Sequence, residues 1–291
     1  VEVTESDPAP TIAPSTSTTS TTPPAIGVSC DVPATAWERP GTLTVAISEV
    51  EEEAWPNGSY ESVMTGELAA VLGFEEEEVA LISIPHLGAV QPDAAWNYDV
   101  AVQTATISRG RDEVVDFSDG YLRLDQFLLA TEGSPLFAAE SLSQLRDATL
   151  GVFPSAEYSV FYAVERVQPA TDPIALPDDG TAPAQLADGV ADGVVMDLVA
   201  SDWIRRQPGW EELEVVAKLP RFDDELDESE PVGEQGSELA GPEELGLVFQ
   251  EGSELVDCFN DGLAVLRDSG RLEELAAAWY PDEFEASILG P

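Results

Sequence analysis

From about residue 40 onward, short apolar runs alternate with helical stripes. Residues 43–48 (LTVAIS), 79–84 (VALISI) and 98–104 (YDVAVQT) read as strands. Between the first two, residues 61–73 set Val63, Met64, Leu68, Val71 and Leu72 on one helical face and close on Gly73. Strand–helix–strand units of this length predict an α/β fold with a mostly parallel sheet. The pattern resumes at 148–153, 193–198 and 213–219, with helices between, and so predicts a second α/β lobe. Residues 221–244 form a loop too acidic and glycine-rich to pack. Order returns at 245–249, followed by a long amphipathic helix over 254–270 and a shorter one through Trp279. At the other end, residues 1–27 are dominated by Ser, Thr and Pro, the composition of an extended tether.

Charge narrows the possibilities. Against 57 acidic residues stand 12 basic ones, a net charge of −45 in 291 residues. Such a surface repels phosphate, which excludes nucleic-acid binding and disfavours anionic membranes. No apolar run approaches the roughly 20 residues of a membrane span. Lys218 is the only lysine, the other positive charges being arginines. That composition suits concentrated salt, where screening suppresses self-repulsion, and equally an acidic secreted protein. Any targeting segment or anchor cysteine is expected ahead of Val1.

Chemistry-bearing motifs are sparse. His86 is the only histidine, so no two-histidine metal site can form, and a Ser–His–Asp or Cys–His arrangement would have to use that one imidazole. No cofactor motif occurs. Cys30 and Cys258 sit near opposite ends of the chain; a bridge between them is expected, two buried thiols being the alternative. The informative stretch is 98–121, YDVAVQTATISRGRDEVVDFSDGY. Its strand ends in the polar turn TATIS, with Arg111 just beyond. A guanidinium beside hydroxyls and backbone N–H groups at a strand's carboxyl end suits a small carboxylate. An arginine that satisfies a helix end or pairs with Asp116 fits the spacing as well.

The segment Thr106-Ile107-Ser108-x-x-Arg111, followed by Val115-Asp116-Phe117-Ser118-Asp119-Gly120-Tyr121, resembles the signature of family 3 extracellular solute-binding proteins, the amino-acid receptors of ABC importers. Pro40-Gly41-x-Leu43-Thr44-Val45 resembles the family's opening strand, and Leu145 through Val152 its entry to the second lobe. Asp192-Gly193-Val194-Val195-Met196-Asp197 and Gly246-Leu247-Val248-Phe249 through Leu266, Gly270 and Trp279 follow in the family's order. Actinobacterial members, with a cysteine before the first strand and another in the final helix, are similar in this respect.

The resemblance implies a two-lobed, type II periplasmic-binding-protein fold, each lobe a mostly parallel sheet flanked by helices. Its expected division is a tether and lead-in over 1–37, lobe one over 38–124 plus 244–291, and lobe two over 125–243. Two chain crossings near Tyr121–Asp125 and Glu243–Leu245 form the hinge. It further implies that Arg111 clamps a ligand α-carboxylate with Thr106 and Thr104 beside it, and that Asp197 takes the α-ammonium. Asp197 is also placed to cap a helix. His86 stands where many members carry an aromatic, and Trp55 is the substitute wall. Ser155-Ala156-Glu157 replaces the family's lobe-two Gly-Thr or Gly-Ser element. Glutamates 49, 51 and 53, if turned to the cleft, favour a cationic side chain. The expected protein is a monomeric receptor without cofactor or metal, tethered at the cell surface as a lipoprotein or periplasmic, delivering an amino acid or similar zwitterion to an ABC permease. An enzyme of cyclohexadienyl dehydratase type and a ligand-sensing domain are the alternatives.

Overall fold

The computed structural model describes residues 28–48, 58–154, 156–177, 182–207, 209–210, 212–221 and 243–290. The 1–27 tether, Trp55, glutamates 49, 51 and 53, Ser155, the Glu157 side chain and most of the 221–244 loop lie outside the described residues.

Among the described residues the chain forms two five-stranded sheets joined by a two-stranded ribbon. The first sheet is built around β1 (Leu43–Ser48), buried along its whole length. It pairs in parallel with β2 (Val79–Ile84) and β3 (Val100–Val102). Helix α1 (Tyr60–Val71) connects β1 to β2, starting at Ser59, whose hydroxyl accepts the Ser62 N–H at 3.1 Å. Its apolar face, led by Met64 and Leu68, is fully buried. The strand expected from residue 98 begins only at Val100. Asp99, just ahead, is buried and uses its carboxylate oxygens on the N–H groups of Glu38 and Thr44, both at 2.6 Å.

After β3 come the short helix α2 (Arg109–Asp112), β4 (Val115–Phe117) and β5 (Leu122–Arg123). The chain then enters the second sheet through β6 (Gln126–Thr131). It continues through β7 (Leu150–Val152), α3 (Glu157–Phe161, widening to a π-helical stretch over Tyr162–Val167), β8 (Ile174–Ala175), α4 (Ala182–Ala187), β9 (Gly193–Asp197), α5 (Leu198–Arg205) and β10 (Leu213–Lys218). The return is β11 (Glu244–Leu245), then β12 (Val248–Gln250) and the helices α6 (Val256–Asp268), α7 (Arg271–Trp279) and α8 (Pro281–Glu285).

The strand orders are β2-β1-β3-β12-β4 and β10-β6-β9-β7-β8. In each, the parallel pairs are extended on one side by antiparallel ones. β12 runs against β3 and β4 in the first sheet, and β6 runs against β9 and β10 in the second. Strand β6 lies inside its sheet with five of six residues buried, and it is not among the strands expected from the sequence. The two crossings pair with each other. β5 and β11 are antiparallel, with Glu244 opposite Arg123, and Leu124 N–H donates to Glu243 C=O at 2.8 Å.

Two features tie distant parts of the chain together. Cys30 and Cys258 are bonded across 228 residues, pinning the segment that leads into β1 onto α6. Beyond Trp279 the chain leaves α6 and α7 and lies along the second sheet, a third link between the two halves. Lys218 N–H donates to Ser287 C=O at 3.0 Å, Leu289 N–H returns to Lys218 C=O at 2.8 Å, and Gly290 pairs with Glu140 and Leu142. Glu283, buried, accepts from Ser201 Oγ at 2.5 Å and from Arg205 Nη2 at 2.7 Å.

Candidate functional site

The turn that follows β3 is held from behind. Thr104 sits in the left-handed region, φ 51°, which costs a threonine of the order of 1 kcal/mol. Its N–H donates to Glu61 Oε1 on α1 at 2.8 Å, and Tyr121 Oη donates to the same carboxylate oxygen. That bond turns the chain so that Thr106 can pair with Leu245 of the returning crossing. Gly246 passes so close that a Cβ there would meet Ile107 Cγ1 at 2.7 Å. Two residues further on, Ser108 caps α2 through its hydroxyl, which accepts the Arg111 N–H.

Arg111 lies half-buried on α2 and folds back over this turn. Its Nη1 donates to Thr106 C=O at 2.8 Å and also to Thr106 Oγ1. Guanidinium, hydroxyl and backbone therefore form one unit, with Thr104 fixed two residues upstream. His86 is exposed, in the turn after β2. That turn is clamped to the same strand end by buried Gln103, whose Nε2 donates to Pro85 C=O at 2.9 Å while its Oε1 accepts Ala89 N–H at 3.1 Å.

Asp197 ends β9 and caps α5, Oδ1 accepting Ala200 N–H at 2.9 Å. Of the two roles weighed from the sequence, the helix cap is the one these bonds show. Burial pushes its carboxyl up, while the N–H groups of Ala200 and Val199 pull the other way. Ala156, half-buried, precedes the first turn of α3.

Glu243 belongs to this assembly, and sequence reading passed over it. Its side chain, at the mouth of the returning crossing, is held by Gln126 Nε2 at 3.3 Å, and Gln126 Oε1 accepts from the buried hydroxyl of Ser159 at 2.7 Å. Its carboxyl is raised from 4.5 to about 8, by burial first and then by the Asp197 carboxylate, with the Arg111 guanidinium opposing both. One carboxyl at the hinge therefore senses the Arg111 charge on the first-sheet side and the Asp197 charge on the second. Its only sequence signal was position, as the residue at which the second crossing was expected.

Beside it, Asp125 gathers cations. Arg221 Nε approaches at 2.7 Å, Lys218 Nζ donates to its other oxygen, and Arg123 stands at 3.8 Å. Asp125, Arg123, Arg221, Gln126, Tyr158 and Glu243 line a small cavity on the hinge. Among the described residues no group of three His, Cys, Asp or Glu side chains is arranged to hold a metal ion, and no helix is long and apolar enough to cross a membrane.

Two mixed sheets joined at a hinge, with charged groups converging on it, define the architecture of a two-lobed solute receptor. Residues 67–282 match the bacterial extracellular solute-binding proteins, family 3, and the chain belongs to that family. Among solved structures it is similar to an ancestral cationic amino acid solute-binding protein (21% identity, TM-score 0.54, 82% of this chain and 96% of that one). It is also similar to the second substrate-binding domain assigned to an amino acid ABC transporter from Streptococcus pneumoniae (18%, TM-score 0.56, 82% and 100%). A third likeness is to the AvGluR1 ligand-binding domain in complex with glutamate (15%, TM-score 0.53, 89% and 97%). At these identities the likenesses speak to the fold. None of the curated proteins compared with the chain matches it.

Proposed function

We propose that this solute-binding protein is the receptor of an ABC importer, taking up an amino acid or a related small zwitterion between its lobes and closing on it. Lobe one comprises residues 38–124 and the returning segment from 244, lobe two residues 125–243, with the tail beyond Trp279 strapped to lobe two. Arg111 binds the α-carboxylate with Thr106 and Thr104, Asp197 binds the α-ammonium, and the His86 turn, Trp55 and the 155–157 segment border the ligand. The reading is supported chiefly by the family match over residues 67–282, with Arg111 bonded to Thr106 in the turn after β3. A fixed cation and a fixed anion on different lobes gain both contacts only when the lobes close, so the ligand's own dipole drives closure.

The protein acts as a monomer with no cofactor and no chemistry of its own, and hands its ligand to a membrane permease. It works outside the cell membrane, held by its Ser/Thr/Pro segment, and its net charge of −45 suits concentrated salt. A thermal-shift screen of the twenty amino acids in high salt tests this. A bound ligand at 100 times its Kd stabilises by about 2.7 kcal/mol. Arg111→Ala abolishes the shift; full affinity in that variant would refute the site. One observation favours a second reading, an enzyme of dehydratase type. A carboxyl raised to about 8 beside the cleft is suited to be a general acid. Turnover of an arogenate-like acid would establish it.

A further inference from the structure

We propose that residues 280–290 form a third hinge strand, a taut strap that limits how far the two halves of the molecule move relative to each other. The hinge expected from the sequence has two crossings, near Tyr121–Asp125 and Glu243–Leu245. The strap runs beside the first of them and is fixed at both ends.

Its anchor in the first half is α7. That helix packs on α1 and α6 with Leu272, Leu275 and Ala276 buried, and Arg271 donates to Glu67 of α1 from Nη2 at 2.6 Å and Nε at 2.8 Å. The chain leaves α7 at Tyr280, also buried, whose ring lies 6.0 Å from that of Tyr60. Tyr60 Oη in turn donates to Tyr121 C=O at 3.2 Å, so the strap departs beside the start of the first crossing.

Only three residues later the chain is held by the second half. Glu283 accepts from Ser201 Oγ at 2.5 Å and from Arg205 Nη2 at 2.7 Å. Ser287 and Leu289 then bond the backbone of Lys218, and Leu289 is buried among second-sheet residues. Gly290 lies so close to the chain that a Cβ there would meet Glu140 C=O at 2.9 Å. The Lys218 side chain grips Asp125, where the first crossing ends. Strap and crossing therefore share both of their ends.

The length of the free span decides what this does. Tyr280 and Glu283 belong to one helical turn, in which Phe284 N–H donates to Tyr280 C=O at 3.0 Å. A helix rises about 1.5 Å per residue and an extended chain about 3.3 Å, so complete unwinding of these three steps yields about 5 Å. A movement that separates the anchors further must pull Glu283 from its buried site and strip the Ser201 hydroxyl and Arg205 of their acceptor. Two adjacent crossings leave the halves free to bend and twist about them. A third link of short, fixed length removes part of that freedom. On the receptor reading, a narrower ensemble also leaves less conformational entropy to be lost when the lobes close on a solute. The restraint itself does not depend on that reading.

The experiment slackens the strap while keeping every anchor. Gly-Ser-Gly-Ser is inserted between Tyr280 and Pro281, which adds up to about 13 Å of chain. The exposed residues Glu76, ahead of β2, and Glu165, in the π-helical stretch, are replaced by a ketone-bearing amino acid that takes a spin label and leaves Cys30–Cys258 intact. Double electron–electron resonance on the full chain, with no solute added, reads the distance between the halves. The insertion is expected to broaden the distribution, its long-distance limit lying more than about 5 Å beyond that of the parent. A chain ending at Tyr280 lacks the strap altogether and is expected to broaden at least as far. A distribution that coincides with the parent's, in either variant that still melts in a single transition, would overturn the inference. Because no solute is bound in these measurements, that outcome would leave the receptor reading standing.

Discussion

The backbone N–H of Thr104 donates to the Glu61 carboxylate at 2.8 Å, so a residue on the first helix helps fix the turn onto which Arg111 folds back. Glu61 is buried, 5% exposed, and its Oε1 also receives the Tyr121 hydroxyl from the hinge side. Helix, turn and crossing thus share one acceptor.

Glu61→Gln weakens that shared acceptor by replacing a carboxylate with an amide. The expected loss is about 1–3 kcal/mol, because hydrogen bonds to a buried charge are the strong ones. Chemical denaturation measures it, and a cycle with Tyr121→Phe gives a non-additive coupling if the two groups share Glu61. Ligand affinity falls in the same variant, since Thr104 is held less firmly in its left-handed conformation.

The tyrosines around Glu61 resist ionisation. Burial, then the Glu61 charge, pushes the Tyr60 and Tyr121 phenols above their ordinary value, and burial raises Tyr98 to about 12. Ultraviolet titration of the native protein therefore leaves these rings protonated at pH values where the unfolded chain ionises. Early ionisation of Tyr121 in the folded state would contradict the buried Glu61 contact.

The C-terminal strap offers a graded comparison. Glu283, fully buried and bonded to Ser201 and Arg205, costs about 1–3 kcal/mol when replaced by Ala, because the buried Ser201 hydroxyl and one face of the Arg205 guanidinium lose their acceptor. Asp282 contacts the same guanidinium at 2.6 Å, but its side chain is 62% exposed, and Asp282→Ala costs less than about 1 kcal/mol. Equal losses would show that burial does not set the two contacts apart.

Reduction of Cys30–Cys258 frees a loop of more than 200 residues, and the chain-entropy estimate is about 2–5 kcal/mol. The double Ser variant melts correspondingly lower, and non-reducing mass measurement finds the native chain lighter by two hydrogens.

Hinge carboxyls titrate in opposite senses. Asp125 is lowered by Arg221 and Lys218 against burial, so its contribution is present above its unfolded pKa and is lost as pH falls through the lowered folded value. Asp125→Asn is therefore destabilising at neutral pH and converges with the parent in acid. Glu243 is raised from 4.5 to about 8, so the neutral acid is favourable at low pH and burial becomes costly as pH climbs between those values. Glu243→Gln melts higher than the parent at alkaline pH and equal to it in acid, with about 2–4 °C for each kcal/mol regained. A melting difference independent of pH would show that Glu243 is not buried as described.

Local pattern carries strands β1 and β2, whose expected limits coincide with those observed, because a continuous apolar run between polar turns has one use in a sheet. Spacing singled out Arg111 with its alternatives open, and the family resemblance, not periodicity, pointed to Thr106 and Asp197. Strand β6, the third link through residues 281–290 and the raised carboxyl of Glu243 were not legible. Each depends on partners far along the chain: β6 on β9 and β10, the tail on Lys218 and Glu140, and Glu243 on charges at 111 and 197. In a sequence with 57 acidic residues one more glutamate carries no signal. Periodicity reports which face of an element is buried, whereas the protonation of a side chain is set by the dielectric and charges around it, and those exist only once the halves of the molecule are brought together.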